Sequence, residues 1–99
     1  MAIYLDGKNN MIKDIIISKG TIDRTVACPR EIFAEALKCN ALKVVILHNH
    51  PSGDSTPSKA DILTTKRIYD SGELLGIELV DHIIIGDNSY FSLSENNLL

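Results

Sequence analysis

The segment that organises this chain is VVILHNHPSGDSTPSKAD, residues 44–61. Its first four residues form a continuous apolar run of strand length, which is typical of a strand covered on both faces. A polar loop rich in Ser, Gly and Asp follows, and Thr56 and Pro57 then suit an N-cap and a first helical position. The segment therefore predicts a buried strand, a turn and a helix in immediate succession.

The predicted helix has one buried face and a defined end. Apolar and small side chains recur at helical spacing, and Gly76 is placed to stop the helix. The face is formed by Ile62, Thr65, Ile68, Tyr69 and Gly72. Beyond the helix, Glu78–Ile85 predicts a strand, and residues 90–93 predict a last short strand after a Gly-Asp-Asn turn.

The first part of the chain has a different pattern of apolar and turn residues. Three short apolar runs separated by turn residues predict an antiparallel meander. These runs are residues 2–5, 11–18 and 21–27. Pro29 and Glu31 then suit the first turn of a helix that ends near Asn40. The order β-β-β-α-β-α-β-β predicts an α/β fold, a mixed sheet flanked by helices, as one domain over residues 1–99.

Composition is that of a globular protein without an evident surface for nucleic acid. Of the 99 residues, 44% are hydrophobic and 23% are charged, and the net charge is −3. Lys and Arg are scattered, so DNA is a partner that the charge does not support. No apolar stretch approaches the ~20 residues that span a bilayer, and the first residues lack the pattern of a signal peptide. We expect a cytoplasmic protein with no membrane partner.

The two cysteines, Cys28 and Cys39, form no CxxC pair. Isolated cysteines of this kind are often small buried hydrophobic residues, so both are expected to be free thiols in a reducing compartment. Short strands at the sheet edges could pair two copies of the chain, which leaves a homodimer as one expectation.

Three side chains of the central segment are predicted to meet. Residues two apart on a strand face the same side, so His48 and His50 can point together into one small space. The loop turns the chain back, and Asp61 on the following helix can close the site opposite the two imidazoles. Two His and one carboxylate, with a fourth position left for water, are the ligand set of a catalytic zinc site. The sequence therefore predicts Zn²⁺ held by His48, His50 and Asp61.

Ser58 is the candidate catalytic residue beside these ligands. It lies three residues before Asp61, on the same predicted helix face. Its hydroxyl could donate a hydrogen bond to the oxyanion that develops when an activated water attacks a carbonyl. Simpler interpretations stay open: the histidines could be satisfied polar residues at a strand end, Asp61 an acid favoured in a first helical turn, and Ser58 only a helix cap.

Three further polar residues have both a functional and a simpler interpretation. Glu31 could substitute for a general base, although the start of a helix favours an acid there in any case. His82 lies in an apolar strand, so we expect a core histidine or a neighbour of the ligands rather than a ligand. Asp54 is expected to be a turn residue, with the mouth of the site as the alternative.

The pattern His48-x-His50, followed at this spacing by Ser58 and Asp61, resembles the JAMM (MPN-plus) metalloprotease motif. The string HNHPSGDSTPS resembles the RadC family of bacterial proteins. Other matching segments are Leu5-Asp6, Gly20-Thr21-Ile22, Pro29-Arg30-Glu31, Gly72-Glu73-Leu74-Leu75-Gly76 and Asp81-His82. The resemblance covers almost the whole chain. It implies a JAMM-type fold related to the cytidine-deaminase architecture, Zn²⁺ on the matching residues, and hydrolysis of a peptide or isopeptide bond in a peptide or protein substrate.

Two other families of metal enzyme are excluded by spacing. HNH nucleases scatter their three residues over a longer ββα-metal unit, so a contiguous His-Asn-His is not their signature. Zinc deaminases need His-x-Glu followed by Pro-Cys-x-x-Cys, and neither pattern occurs here.

The resemblance also implies a glutamate that acts as general base. RadC proteins commonly carry it just ahead of the strand that here begins at Ala2, and they carry an N-terminal helical, DNA-binding-like region; this sequence is expected to begin after both. We therefore expect a zinc-dependent metallopeptidase-type hydrolase with its base not evident in the chain. One alternative is a non-catalytic module that binds a protein or a DNA-repair partner. The other is direct action on DNA, which the family's DNA-repair label suggests and the acidic balance disfavours.

Overall fold

A computed structural model of the chain describes residues 1–16, 29–50 and 52–99. Within these ranges, five strands form one sheet in the order β2-β1-β3-β4-β5. The strands are β1 (Ala2–Leu5), β2 (Met11–Ile15), β3 (Lys43–Asn49), β4 (Glu78–Ile85) and β5 (Tyr90–Ser92). β3 and β4 run parallel, and the other neighbouring pairs are antiparallel. The predicted α/β fold with a mixed sheet is therefore confirmed.

Two helices, α1 (Pro29–Lys38) and α2 (Lys59–Leu75), pack together with alternate residues of the strands in one core. The hydroxyl of Tyr4 on β1 donates to the backbone oxygen of Ile32 on α1 at 2.8 Å, which ties this helix to the sheet. On β3, Val44 is buried in this core, whereas its neighbour Val45 on the opposite face is half-buried. The two faces of the central strand are therefore covered unequally.

The helix that follows the polar loop begins later than predicted. Asp54 Oδ1 accepts the N–H of Thr56 at 2.9 Å, which holds Thr56 in the turn and not at a helix cap. Ser58 is the N-cap instead, because its side chain and that of Asp61 form a reciprocal capping box. The prediction that Thr56 caps the helix was wrong. The end is as predicted, with Gly76 in the left-handed conformation at φ 74°.

The remaining boundaries lie within three residues of the predictions; the largest difference is in β2, which ends at Ile15 and not at residue 18. α1 ends at Lys38, shortly before the predicted Asn40. The third predicted strand, residues 21–27, and Cys28 lie outside the described residues, whereas Cys39 is a free thiol. Across the ranges that the structure describes, α1 and α2 are both too short or too polar to span a lipid bilayer.

Candidate metal centre

The predicted metal ligands lie where β3 ends and α2 begins. His48 is in the strand and His50 directly follows it, and the chain then turns back through Gly53, whose φ of 84° suits glycine. Asp61 stands in the first turn of α2. One side-chain atom from each of the three residues lies within 4.8 Å of the other two, and the group could hold a metal ion.

The geometry of the three side chains fits a cation. His48 Nε2 and Asp61 Oδ1 are 3.6 Å apart and buried, and neither has a hydrogen-bond partner in the described parts of the chain. His50 Nε2 lies 2.9 Å from Asp61 Oδ2. A tetrahedral ion with bonds of ~2.1 Å holds its ligand atoms about 3.4 Å apart, close to the 3.6 Å between His48 Nε2 and Asp61 Oδ1. Asp61 is fully buried, and a buried carboxylate is costly unless a cation pairs with it.

Asp61 is kept ionised by its position at the start of α2. Burial raises the pKa of its carboxyl, but the N–H of Ser58 donates to Oδ2 at 2.8 Å. This bond, together with the neighbouring His48 and His50, brings the pKa of Asp61 below its ordinary value. The positive end of the helix dipole acts in the same direction. The carboxylate is therefore available as a ligand at neutral pH.

His50 is oriented by the loop that follows it. Its Nδ1 lies 2.7 Å from the backbone oxygen of Asp54, and because a carbonyl oxygen only accepts, Nδ1 carries a proton. Its Nε2 faces Asp61, where it donates as an imidazolium or, in the neutral ring, offers its lone pair to a metal. Asp54 is a turn residue, as predicted, and its backbone also holds a candidate ligand.

The same loop packs closely against the turn between β4 and β5. The N–H of Asp87 donates to the carbonyl oxygen of Gly53 at 2.9 Å, and the hydroxyls of Ser55 and Ser89 are 2.9 Å apart. A Cβ atom on Gly86 would collide with the carbonyl oxygen of Gly53. The close approach of the two backbones therefore depends on glycine at position 86.

His48 contacts the buried His82 on β4, which in turn contacts the buried Thr65 on α2. Its Nδ1 is 2.8 Å from His82 Nε2, and His82 Nδ1 is 2.5 Å from the hydroxyl of Thr65. That hydroxyl donates to the backbone oxygen of Asp61 at 2.6 Å. Burial lowers the pKa of His82 to about 4 and also lowers the pKa of His48, so both rings are neutral at neutral pH. His82 is thus both a core histidine and a neighbour of a candidate ligand.

Thr65 is the residue that sequence reasoning missed at this site. The sequence predicted it only as part of the buried face of α2. Its spacing from Asp61 was the available signal, because a Thr hydroxyl reaches back to the carbonyl four residues earlier. Glu31 is exposed in the first turn of α1, as helix-start electrostatics predicted, and it does not belong to the metal group.

Ser58 lies beside Asp61 through the capping box. Its Oγ accepts the N–H of Asp61 at 3.0 Å. The hydroxyl's own proton has no acceptor among the described residues, so it is free to donate. The structure therefore brings Ser58 next to the candidate ligands as a helix cap, and any role in catalysis stays a prediction.

Comparison with known proteins identifies the family. A family model described as RadC-like JAB domain matches residues 1–98. A UPF0758 protein of Enterococcus faecalis is 50% identical over 97 residues, which are 98% of this chain and 42% of that protein. A UPF0758 protein of Staphylococcus haemolyticus is 52% identical over 95 residues, 96% of this chain and 42% of that protein. The chain spans about two fifths of the length of these curated relatives. This chain belongs to the RadC-like JAB domain family.

Proposed function

We propose that this chain is a zinc-dependent hydrolase domain that acts on a peptide or isopeptide bond, with His48, His50 and Asp61 as the metal ligands. The observation that carries the proposal is the pair of buried atoms without partners among the described residues, His48 Nε2 and Asp61 Oδ1, which face each other at 3.6 Å. Two imidazoles and one carboxylate are a ligand set of catalytic zinc sites, whereas structural zinc sites are closed by four protein ligands.

The side chains would divide the work of such a reaction. Zinc with an open position polarises a substrate carbonyl and activates water. The three ligands would keep the ion in a fixed place, because each is oriented by its own hydrogen bonds. Ser58 would donate its free proton to the oxyanion of the substrate, which is supported by its exposure and its bond to Asp61.

The general base would be a carboxylate outside the ligand group. The group consists of two histidines and one aspartate, and the aspartate is committed to the metal. This chain spans about two fifths of the length of its relatives. We therefore propose the hydrolase activity for the longer proteins that contain such a domain as well.

The composition of the metal group also favours a second candidate function. Because these three residues can hold a metal without a general base, they equally fit a non-catalytic module that binds a protein partner, with the metal in a supporting role. Direct action on DNA has less support, because the net charge is −3.

Metal analysis tests the ligand assignment. We expect the purified chain to hold about one zinc ion per molecule, the stoichiometry of a single three-ligand site. His50→Ala should lower zinc occupancy sharply, whereas Lys66→Ala, an exposed change in the middle of α2, should leave occupancy unchanged. A wild-type chain that neither retains nor acquires zinc at neutral pH would contradict the assignment.

Hydrolysis assays separate the two candidate functions. This chain and the full-length relative from Enterococcus faecalis would be compared on a library of peptides and isopeptide-linked conjugates. Cleavage that is lost when the residue matching His50 is replaced by Ala supports the hydrolase. Zinc binding without cleavage by either protein supports the binding module.

A further inference from the structure

We infer that Thr65 and His82 form a buried relay that fixes which nitrogen of His48 carries its proton, and thereby presents Nε2 of His48 to the metal. Both would be positioning residues for the proposed metal site, on which this inference rests. The relay consists of three consecutive hydrogen bonds, which run from the backbone oxygen of Asp61 through Thr65 and His82 to Nδ1 of His48.

The proton positions in the relay follow from a single fixed acceptor. The backbone oxygen of Asp61 only accepts, so the one hydroxyl proton of Thr65 points to it at 2.6 Å. The hydroxyl oxygen must then accept from His82 Nδ1, which therefore carries the proton of that ring. In a neutral ring this leaves His82 Nε2 bare, and it accepts from Nδ1 of His48 at 2.8 Å.

His48 is left with a bare Nε2. This is the buried atom that has no hydrogen-bond partner among the described residues and that lies 3.6 Å from Asp61 Oδ1. The opposite assignment would put a proton on Nε2 at a distance too long for a hydrogen bond to that oxygen. The geometry of both ends therefore selects the same tautomer, the one that a metal needs.

The relay links two of the three candidate ligands to each other. It starts on the backbone of Asp61 and ends on the ring of His48, and both residues between them are fully buried. A path that opens to water could carry protons to and from the site, but this one closes on a carbonyl oxygen of the helix. Its effect is on position and tautomer, as expected for residues that orient a metal-binding histidine.

A matched pair of variants at Thr65 tests the inference. Thr65→Val keeps the shape of the side chain and removes the hydroxyl, so His82 Nδ1 loses its acceptor. The proton of His82 can then move to its Nε2 and donate to Nδ1 of His48, which leaves the proton of His48 on Nε2. We expect zinc affinity to fall about 10- to 100-fold in Thr65→Val, the range typical of such supporting residues. Thr65→Ser restores the hydroxyl, and its affinity should stay within a few-fold of the wild-type value. The affinities would be measured by competition with a chelating zinc indicator.

The tautomers can be read directly in the wild-type chain. Long-range ¹H–¹⁵N spectra of the metal-free protein distinguish the two nitrogens of each imidazole. We expect protons on Nδ1 of His48 and Nδ1 of His82, and in Thr65→Val a shift of the His48 proton to Nε2. A wild-type His48 protonated on Nε2 would overturn the inference even if the variant fails to fold.

The two proposals fail in different ways. Zinc affinity in Thr65→Val equal to that of the wild type, together with a large loss in His50→Ala, overturns the relay and leaves the metal site standing. A wild-type chain that binds no zinc contradicts the proposed function, and the tautomer of His48 in the metal-free protein then still decides whether the relay exists.

Discussion

Ser58 has an observed role as a helix cap, and single substitutions can test this role apart from its proposed role as a donor. As the N-cap of α2 it accepts the N–H of Asp61, and as a proposed donor it would use its free hydroxyl proton. We expect Ser58→Ala to lower the free energy of unfolding by about 1 kcal/mol, because the Asp61 N–H loses its acceptor. Ser58→Asn, which is also a good cap, should stay within a few tenths of a kcal/mol of the wild type. Urea unfolding of the zinc-free proteins measures both values, and an equal loss in the two variants would contradict the capping role.

The Asp6 carboxylate makes the stability of the turn between β1 and β2 depend on pH. It accepts the backbone N–H groups of Lys8 at 2.8 Å and Asn10 at 2.9 Å, at the turn between β1 and β2. The bond from Asn10 is the largest cause that lowers the pKa of Asp6 below 3.8. A lowered folded pKa means that the unfolded chain binds the proton more tightly. The stability that Asp6 contributes is therefore present above pH 3.8 and lost as the pH falls through the folded pKa.

The corresponding test follows the urea midpoint as a function of pH. We expect Asp6→Ala to lower the midpoint near neutral pH, and the gap between this variant and the wild type to narrow below about pH 4. Asp6→Asn is the matched control, because it keeps one acceptor oxygen and cannot titrate. A gap that stays constant at acid pH would show that the carboxylate's charge does not stabilise the turn.

Among the elements, the polar loop packs against the β4–β5 turn, and this contact helps to support His50. Gly86→Ala would push Gly53 and the rest of the polar loop away from the β4–β5 turn, and the backbone oxygen of Asp54 would then leave His50 Nδ1. We expect zinc affinity to fall about 10-fold or more, because supporting hydrogen bonds to metal ligands have effects of this size. Gly7→Ala is the control, since its Cβ would meet only a flexible atom of Leu42 at 3.3 Å. Unchanged zinc affinity in Gly86→Ala would show that the loop orients His50 without this contact.

Strand β4 shows what the sequence could not predict at the level of elements. Its length was predicted correctly as Glu78–Ile85, but its register with β3 contains a bulge at Val80. Leu79 pairs with Val44 and His82 pairs with Ile46, so the two residues face the same side although they are three apart. Strict alternation from Leu79 would have put His82 on the opposite face. The bulge is a property of the pairing between strands, and the sequence of β4 alone does not contain it.

The sequence predicted that a helix begins after the polar loop, but it did not predict the residue at which α2 begins. Thr56-Pro57 and Ser58-x-x-Asp61 are both start signals, and they lie within six residues of each other. The second signal prevails because Asp61 satisfies the N–H of Ser58 while Asp54 engages Thr56 in the turn. The same carboxylate is the buried candidate ligand, so the helix start and the metal centre share one residue.

Across the whole molecule, contacts between residues close in sequence were predicted, whereas contacts between distant residues were not. His48, His50 and Asp61 come from one continuous segment, so local rules of strand, turn and helix were enough to bring them together. His82 arrives from the neighbouring parallel strand, and its contact with His48 requires the assembled sheet. A metal ion at this point would join the end of β3 to the start of α2, two elements that also pack through the central core. Metal binding should therefore raise the free energy of unfolding of the entire domain.

Zinc should raise the stability of the wild-type chain by mass action. A ligand that binds only the folded state adds about 2.7 kcal/mol when it is present at 100 times its dissociation constant. For a chain of this size, that corresponds to a rise in Tm of about 10 °C or more. Calorimetry with added zinc and with a chelator measures the difference, and His50→Ala is the control, in which the rise should largely disappear. An equal rise in His50→Ala would mean that zinc binds elsewhere on the folded protein and not at His48, His50 and Asp61.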